Sequence, residues 1–313
     1  MKLLAYNHRD DAAGVCRFGV LIGGSTNPSV VAIDDLVVTA PVSAARTALF
    51  AARRIAPAAG GLARWLQLDA AARALLSVQI AERAATTPGL PLASLQLRAP
   101  LARPGKIIGV GRNYADHAKE TGVAPFESPR IIFKMSSSVS DPDSVVVRPA
   151  SVQKFDFEAE LGVVIGDFAR DVARADAIAC VAGYTVLNDL SAREFQFDVA
   201  LAQTTFAKSM DGFCPLGPYF VSADEIPDPQ QLRVRSWVNE VLMQDATTAD
   251  MLFPVAELIA YLSRFMTLEP GDVIATGTPA GIGAFRTPPQ WLQPGDRVRA
   301  EVSGIGALVT TIG

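Results

Sequence analysis

From Lys106 onward the sequence consists of short apolar segments rich in β-forming residues, separated by turns of Gly, Pro and Asp. Such spacing predicts β-strands, and helical patterns are few in this half. The clearest helical pattern runs over residues 251–265. We therefore predict an α+β fold that is mostly β, with peripheral helices. The strands are expected at residues 161–165, 181–187, 232–238 and 298–302.

The N-terminal third has a different sequence pattern. Residues 1–40 alternate short apolar runs with Gly, Asn, Asp and Ser, which predicts short strands and turns. Between residues 42 and 85 the chain is rich in Ala, Arg and Leu, and apolar residues recur at spacings of three and four. This periodicity is typical of an amphipathic helix. The residues that carry it are Trp65, Leu68, Ala72 and Leu76.

Four prolines then interrupt any regular element and suggest a domain boundary near residue 100. We expect a small N-terminal domain over residues 1–100 and a larger domain over residues 101–313. The prolines are Pro88, Pro91, Pro100 and Pro104.

Composition excludes several classes of function. The chain is 50% apolar and 19% charged with a formal net charge of −4, so it lacks the basic surface that nucleic acid requires. No apolar run approaches the roughly 20 residues of a membrane span, and the apolar start is too short for a signal peptide. We expect a cytoplasmic protein that binds no membrane. The three cysteines are far apart and form no zinc or disulfide pattern.

Two glutamates enter an apolar strand two residues apart, in the segment DFEAELGVVIG at residues 156–166. Residues i and i+2 of a strand point to the same face, so Glu158 and Glu160 should lie side by side. Neighbouring carboxylates at the edge of a core repel each other unless a cation holds them. Asp189 follows the strand-like segment 183–187 and is the expected third ligand.

The resulting set of ligands contains only oxygen atoms. Such a set suits Mg²⁺, Mn²⁺ or Ca²⁺ better than zinc. The alternative is that Glu158 and Glu160 lie on the wet face of an edge strand and bind nothing. The apolar run after Glu160 favours the metal site, and so does the presence of a third carboxylate. From the residues alone both interpretations stay open.

A histidine and a glutamate three residues apart are candidates for proton transfer. His117 and Glu120 would share one face of a short helix, where Glu120 could orient and stabilise an imidazole that deprotonates water. The alternative is a surface helix whose histidine faces solvent.

Arg193 and Gln196 follow Asp189 by four and seven residues. On a short helix they could present donors to a carboxylate or keto oxygen. Lys134 and Lys208 stand among small and apolar neighbours, and a lysine is rarely buried without an ion pair or a function. Each of these charged side chains could instead be solvated at the surface.

The segment GTPAGIG at residues 277–283 superficially resembles a phosphate loop but lacks its Lys-Ser/Thr ending. It could still offer the Thr278 hydroxyl and backbone N–H groups to an anion.

In this order, the segments resemble the fumarylacetoacetate hydrolase family over about residues 104–313. Residues 1–100 resemble the smaller, variable N-terminal domain of many bacterial members. The matching segments are 104–108, 111–120, 133–134, 157–166, 188–196, 208–209, 215–218, 270–274 and 276–283.

The resemblance implies a mixed β-sandwich roll as the catalytic domain and a homodimer with its sites near the subunit contact. It implies Mg²⁺ or Mn²⁺ on Glu158, Glu160 and Asp189, and a dyad of His117 and Glu120 on a segment that orders as a lid. It also implies substrate contacts from Lys208, Thr278, Arg193 and Gln196, and we add Lys134 to this substrate-binding set.

Two positions depart from the family pattern. Thr205 stands where many members have a tryptophan, which puts the substrate pocket in question. Asn239-Glu240 replaces the usual Asn-Gly turn and loses the tolerance of glycine for positive φ.

The predicted reaction is hydrolysis of a C–C bond in an acylpyruvate-like 2,4-dioxo acid, giving pyruvate and a carboxylic acid. His117 would deprotonate the water, and the metal and Lys208 would stabilise the pyruvate enolate that leaves. Decarboxylation of oxaloacetate, and isomerisation or hydration of a 2-oxo-dienoic acid, need the same enolate and remain alternatives. A non-catalytic protein that binds a small ligand is a further alternative, disfavoured because the metal ligands and the dyad are all present.

Overall fold

The structure is a computed structural model that describes residues 1–12, 15–24, 26–120, 122 and 126–313. All of the candidate site residues lie within these ranges.

The strands alternate with few helices after residue 100, as the sequence pattern predicts. In chain order they are β1 (Lys2–His8), β2 (Arg17–Ile22), β3 (Ser29–Ala32), β4 (Leu90–Pro91), β5 (Leu95–Arg98), β6 (Ile107–Gly111), β7 (Arg130–Lys134), β8 (Val139–Ser140), β9 (Val145–Val146), β10 (Phe155–Asp156), β11 (Ala159–Ile165), β12 (Val181–Asn188), β13 (Ser191–Ala192), β14 (Cys214–Ser222), β15 (Arg233–Val238), β16 (Val241–Thr247), β17 (Val273–Ala275), β18 (Arg297–Val302) and β19 (Gly306–Ile312).

The helices are concentrated in the N-terminal third. They are α1 (Asp34–Thr39), α2 (Ala44–Ala52), α3 (Gly61–Gln67), α4 (Ala70–Thr86), α5 (Ala115–Glu120), α6 (Glu194–Phe197), α7 (Thr204–Ala207) and α8 (Val255–Phe265).

One large sheet has the strand order β4-β3-β2-β1-β14-β12-β11-β17-β6-β7, with β5 added to β1 and β8 added to β14. A second sheet has the order β16-β15-β18-β19-β9, and β10 pairs with β13. The fold is therefore mixed α+β and mostly β, which confirms the predicted fold class. Because β1 pairs with β14, residues on both sides of position 100 share one sheet. The domain boundary near residue 100 stays a prediction.

Strand β11 lies inside the large sheet, between β12 and β17, and every residue of it is buried. Leu161, Val163 and Ile165 pack into the core that contains α8, whereas Val164 packs into the core that contains the N-terminal helices. Strand β11 therefore presents apolar groups to both faces, which explains the near-continuous apolar run in its sequence.

The amphipathic helix that the spacing of Trp65, Leu68, Ala72 and Leu76 predicts is divided between two helices, α3 and α4. The break between α3 and α4 falls at Asp69, whose carboxylate accepts a hydrogen bond from the Ala72 N–H and caps α4. A capping aspartate satisfies an otherwise unpaired amide at a helix start, so the local cap prevails over the apolar periodicity. The helix predicted at residues 251–265 begins later, at Val255 after Pro254.

The turn between β15 and β16 keeps its left-handed backbone without glycine. Asn239 has φ 48° and Glu240 has φ 66°. The Asn239 side chain holds the turn, because it donates to Asp296 at 2.6 Å and accepts from the Arg297 N–H at 2.9 Å. The replacement of glycine by Glu240 therefore leaves the hairpin turn in place.

Across the described residues, none of the helices combines the length and the apolar character that crossing a membrane requires.

Candidate metal centre and active-site cavity

The three predicted ligands come together because of strand register. Strands β11 and β12 pair antiparallel with Glu160 opposite Leu187 and Ala159 opposite Asn188. Continuing this register places Glu158 opposite Asp189, and the Asp189 N–H donates to the Glu158 carbonyl at 2.8 Å. Residues opposite each other in an antiparallel pair share a face. The three residues, which we call the acidic cluster, each offer a carboxylate oxygen within 4.8 Å of the others.

Positively charged side chains of the protein neutralise two members of the acidic cluster. The Lys208 ammonium donates to Glu158 at 3.0 Å and to Asp189 at 2.7 Å. Arg193 donates to the other oxygen of Glu158 at 2.6 Å, and Lys134 donates to the other oxygen of Asp189. All four carboxylate oxygens of Glu158 and Asp189 are therefore hydrogen-bonded to a positively charged group.

These contacts set the ionisation of Glu158. Burial opposes its ionised form, but the positive charges of Lys208 and Arg193 outweigh burial and lower the pKa of Glu158 to about 2. Burial alone would lower the pKa of Lys208, but the negative charges of Asp189 and Glu158 outweigh burial and raise it. Both groups are therefore charged at neutral pH.

Glu160 differs from its two neighbours. Its side chain forms no ion pair with any of the residues that the structure describes, and its hydrogen-bond donor is the Gly277 N–H at 2.8 Å. Burial, followed by the charges of Asp189 and Glu158, raises its pKa well above the ordinary value. A buried carboxylate repelled by two others is the environment that a divalent cation stabilises. The residues therefore fit a Mg²⁺ or Mn²⁺ site.

The alternative of a wet edge strand does not hold. Glu160 is 2% exposed, Asp189 is 3% exposed and Glu158 is 7% exposed. Strand β11 is paired with β12 on one side and β17 on the other, so it is not an edge strand.

The glycine-rich segment 277–283 directs its amides to carboxylates of the protein itself. Gly277 donates to Glu160, Gly281 donates to both oxygens of Glu120 at 3.3 Å, and Gly283 donates to Asp156 at 2.8 Å. Gly281 has φ 107°, and a Cβ atom there would lie 2.1 Å from the Met243 carbonyl oxygen. Glycine is therefore required for this loop to approach the site closely.

His117 and Glu120 form the predicted pair on α5. The distance from His117 Nδ1 to the Glu120 carboxylate is 3.2 Å, and the two side chains are 7% and 17% exposed. The Phe285 ring lies edge-on to the imidazole, with ring centroids 5.9 Å apart. His117 therefore does not face solvent, and Glu120, anchored by Gly281, fixes the orientation of its ring. Movement of α5 as a lid stays a prediction.

One cavity of about 180 Å³ joins these elements. It contains all of the predicted site residues except Glu120, which lies behind His117. Its lining includes Arg112, His117, Arg130, Lys134, Glu160 and Lys208.

Four of the expected substrate-binding residues are already engaged with the protein. The Lys134 ammonium contacts Asp189 and the Lys208 carbonyl, and its side chain is fully buried. Thr278 donates to the Ala159 carbonyl at 3.0 Å. Arg193 also donates to Gln196 at 2.9 Å. Lys134, Arg193 and Thr278 therefore hold the acidic cluster and its strand, whichever contacts they add to a substrate.

Sequence reasoning missed two buried polar residues near the site, Asp156 and Gln244. Asp156 accepts from Arg193 at 2.9 Å, and from Gly283, and is completely buried. Gln244 donates to Thr278 at 2.7 Å from a strand distant in sequence. Asp156 could have been found from its position two residues before Glu158, because it continues the same period of two.

Thr205, which replaces the tryptophan of many family members, is exposed on α7 and does not line the cavity. Its neighbour Thr204 does. The substitution therefore leaves the described wall of the cavity intact.

The mostly β fold carries a buried acidic cluster that could hold a divalent cation, with the His117–Glu120 pair beside the same cavity. The family profile described as fumarylacetoacetate (FAA) hydrolase C-terminal matches residues 106–313, which contain the whole site. The chain belongs to the fumarylacetoacetate hydrolase family, as the sequence resemblance predicted.

One relative found by sequence and two solved structures illustrate the similarity. The human oxaloacetate tautomerase FAHD2A, mitochondrial, is 42% identical over 239 residues, which cover 76% of each chain. The maleylpyruvate hydrolase from Sphingobium sp. SYK-6, solved in complex with manganese(II) ion and pyruvate, has 29% identity and a TM-score of 0.75, covering 100% of this chain and 98% of that one. The fumarylacetoacetate hydrolase from Exiguobacterium antarcticum has 32% identity and a TM-score of 0.77, with coverage of 100% and 99%.

Proposed function

We propose that this protein is a divalent-cation-dependent enzyme that interconverts the keto and enol forms of a small 2-oxo acid such as oxaloacetate. The observation that carries the proposal is the His117–Glu120 pair, which lies against the same cavity as the acidic cluster. Such a site can hold a 2-oxo acid and move one of its protons. The 42% identity to an oxaloacetate tautomerase supports this reaction in particular.

Glu158, Glu160 and Asp189 would hold the cation. When bound, Mg²⁺ or Mn²⁺ would supply a Lewis acid for the carboxylate and 2-oxo oxygens of the substrate. A manganese-bound relative that covers the whole of this chain supports such a cation. Arg193 and Lys134 are positioning residues in this proposal, because they fix the carboxylates of Glu158 and Asp189.

His117 performs the proton transfer. Its Nδ1 is held by Glu120, so Nε2 is the atom available to the substrate. Nε2 removes a proton from C3 of the keto form, and the electron pair of the broken C–H bond forms the C2–C3 double bond as charge moves to the 2-oxo oxygen, which then takes a proton from water to give the enol. In the other direction the enol loses its O–H proton to water, and the imidazolium returns a proton to C3. The nearby Glu120 carboxylate stabilises the imidazolium in both directions.

Lys208 provides the second charge that this chemistry needs. Its ammonium lies between Glu158 and Asp189 and faces the cavity. The positive charge of the ammonium beside the cavity would stabilise negative charge as it develops on the 2-oxo oxygen. The Ser191 hydroxyl, which accepts from the ammonium at 2.8 Å, keeps the side chain in place.

Hydrolysis of a C–C bond in a 2,4-dioxo acid is the second candidate, favoured by the whole-chain similarity to a maleylpyruvate hydrolase. In this reaction His117 would deprotonate a water molecule that adds to the C4 carbonyl. The C3–C4 bond then breaks, its electron pair stays on C3, and protonation of C3 gives pyruvate and a carboxylic acid.

Three substrates distinguish these reactions in assays with Mg²⁺ or Mn²⁺: enol oxaloacetate, acetylpyruvate and fumarylpyruvate. The proposal predicts that loss of the enol absorbance is accelerated beyond the buffer rate and that EDTA abolishes the acceleration. If the protein cleaves a dioxo acid and has no effect on oxaloacetate, tautomerisation is ruled out and hydrolysis becomes the proposed function. Oxaloacetate decarboxylation, followed as CO₂ release in the same assay, tests the third alternative. The homodimer and the cytoplasmic location stay predictions.

A further inference from the structure

Strand β7 carries a row of side chains along the cavity wall. Arg130, Ile132 and Lys134 alternate along the strand, so they share one face, and all three line the cavity. Lys134 ends on Asp189, at the metal-binding end. Arg130, four residues away, is about 13 Å further along the backbone at the usual rise of a strand. One strand therefore spans the cavity from the acidic cluster to its outer rim.

A second arginine joins Arg130 at this rim. Strand β6 pairs Gly111 with Arg130, and a Cβ atom on Gly111 would lie 3.4 Å from Arg130 Cδ. Because Gly111 has no side chain, the aliphatic part of Arg130 can lie against the backbone of β6. The next residue, Arg112, turns into the left-handed region with φ 58°, and its guanidinium lies 5.5 Å from the centre of the Phe126 ring. Both arginines line the cavity.

The two guanidinium groups carry charge that the protein does not balance. Neither forms an ion pair with the described part of the chain, whereas the buried Arg193 forms one with Asp156 and one with Glu158. Burial, and then the charge of Arg130, lower the pKa of Arg112. Arg112 is partly buried and Arg130 is exposed at the mouth of the cavity. Two neighbouring cations in this position repel each other and attract an anion.

We propose that Arg112 and Arg130 form a subsite for the second carboxylate of a 2-oxo dicarboxylic acid. The proposal rests on the proposed function, because it assumes that the 2-oxo acid end of the same ligand lies at the acidic cluster. Guanidinium groups bind carboxylates through paired N–H donors, so the subsite would select substrates with a carboxylate at each end. A monocarboxylic 2-oxo acid would bind at the acidic cluster alone.

Matched ligand pairs test the subsite by binding, without turnover. The Mn²⁺-loaded protein is titrated calorimetrically with 2-oxoglutarate and with 2-oxopentanoate, which differ only in the distal carboxylate. A second pair, 2-oxoadipate and 2-oxohexanoate, covers a longer spacing. The wild type should prefer the dicarboxylate of at least one pair by about tenfold to a hundredfold, the usual range for charge-assisted hydrogen bonds.

The variants Arg112→Gln and Arg130→Gln should each reduce that preference to less than about threefold and leave the affinity for the monocarboxylate unchanged. Arg9→Gln, at an exposed position outside the cavity, is the matched control and should keep the full preference. Circular dichroism and melting temperature verify that each variant is folded.

Each other outcome has a distinct meaning. Equal binding of both members of both pairs by the wild type overturns the subsite and leaves the proposed function standing. A preference that survives in both arginine variants also overturns it. If the wild type binds none of the four acids, the proposed 2-oxo acid function itself fails, and the subsite fails with it.

Discussion

Two buried charge clusters of this chain differ in how their charges are balanced. In the first, Arg46 of α2 and Arg73 of α4 both pair with Asp167, one to each carboxylate oxygen. We call these three residues the latch cluster. Both arginines also donate to the Gly166 carbonyl, so the N-terminal helices are fixed to the large sheet.

The carboxylates of the acidic cluster are more deeply buried than Asp167, and one of them has no cationic partner. Glu158 and Asp189 are matched by cations, whereas Glu160 forms no ion pair with the described residues. A buried charge that is matched within the chain supports the fold, whereas a buried charge without a match indicates a ligand.

Neutralising Glu160 should damage function and spare the fold. For Glu160→Gln we expect activity at limiting Mg²⁺ to fall by more than about a hundredfold, because loss of a direct ligand should exceed the roughly 10–100-fold effect of its outer partners. Steady-state rates across a Mg²⁺ series measure this effect. A variant that kept more than about a tenth of the wild-type rate would remove Glu160 from the metal centre.

The same variant should be at least as stable as the wild type when metal-free. Because the pKa of Glu160 is raised in the folded protein, its ionised form opposes folding at any pH above the unfolded value near 4.3. Removing the charge removes that penalty at pH 7. Thermal unfolding in EDTA checks the sign, and a clearly lower melting temperature would show that Glu160 is structurally balanced after all.

Breaking the latch cluster should lower the stability of the fold and leave the activity unchanged. Asp167→Ala leaves Arg46 and Arg73 without their carboxylate, and we expect a loss of about 3 kcal/mol in the free energy of unfolding. This is the lower end of the usual range, because the Asp167 side chain is 30% exposed. Urea unfolding measures the loss, and the rate per folded molecule should not change. The exposed Asp176→Ala is the control, expected within about 0.5 kcal/mol of the wild type.

The proton-transfer pair should respond in rate and not in metal affinity. Glu120→Gln weakens the support for an imidazolium at His117, and we expect both tautomerisation and hydrolysis to slow by about 10², the scale of general acid–base catalysis. Oxaloacetate decarboxylation needs no such base and should slow much less. Single-turnover rates at saturating Mg²⁺ make the comparison, with Lys119→Gln on the same helix as control. Equal losses in all three reactions would assign the pair to closure of α5.

Lys208→Met should have the smallest effect of the set. The ammonium contacts Glu158 and Asp189, so its removal takes away a competitor of the metal for the same oxygens. We expect kcat to fall about tenfold from lost charge stabilisation, with metal affinity unchanged or tighter. Parallel titrations of rate and Mn²⁺ binding decide the matter, and equal decreases in both would make Lys208 a structural ion pair.

Local sequence patterns predicted much of the fold and of the acidic cluster. The period of two placed Glu158 and Glu160 on one face, and the apolar run after them is the buried strand β11. The broken helix at Asp69 was missed because a single capping side chain outweighs a periodicity shared by two helices.

Contacts between distant segments were beyond sequence reasoning. Gln244 reaches Thr278 from strand β16, and Arg130 meets Arg112 only through the pairing of β6 with β7. Nothing in the local sequence of either residue marks these partners. The engagement of Lys134 with Asp189 depends on the packing of the whole sheet in the same way.

We infer from the unmatched carboxylate of Glu160 that the acidic cluster is a metal site. The most direct measurement is the melting temperature of EDTA-treated protein on titration with Mg²⁺ or Mn²⁺, in the wild type and in Glu160→Gln. We expect metal to stabilise the wild type by about 2.7 kcal/mol at a hundredfold excess over its dissociation constant, and the variant by far less. An unchanged melting temperature of the wild type with both metals, or equal stabilisation of the two proteins, would show that Glu160 does not bind the metal.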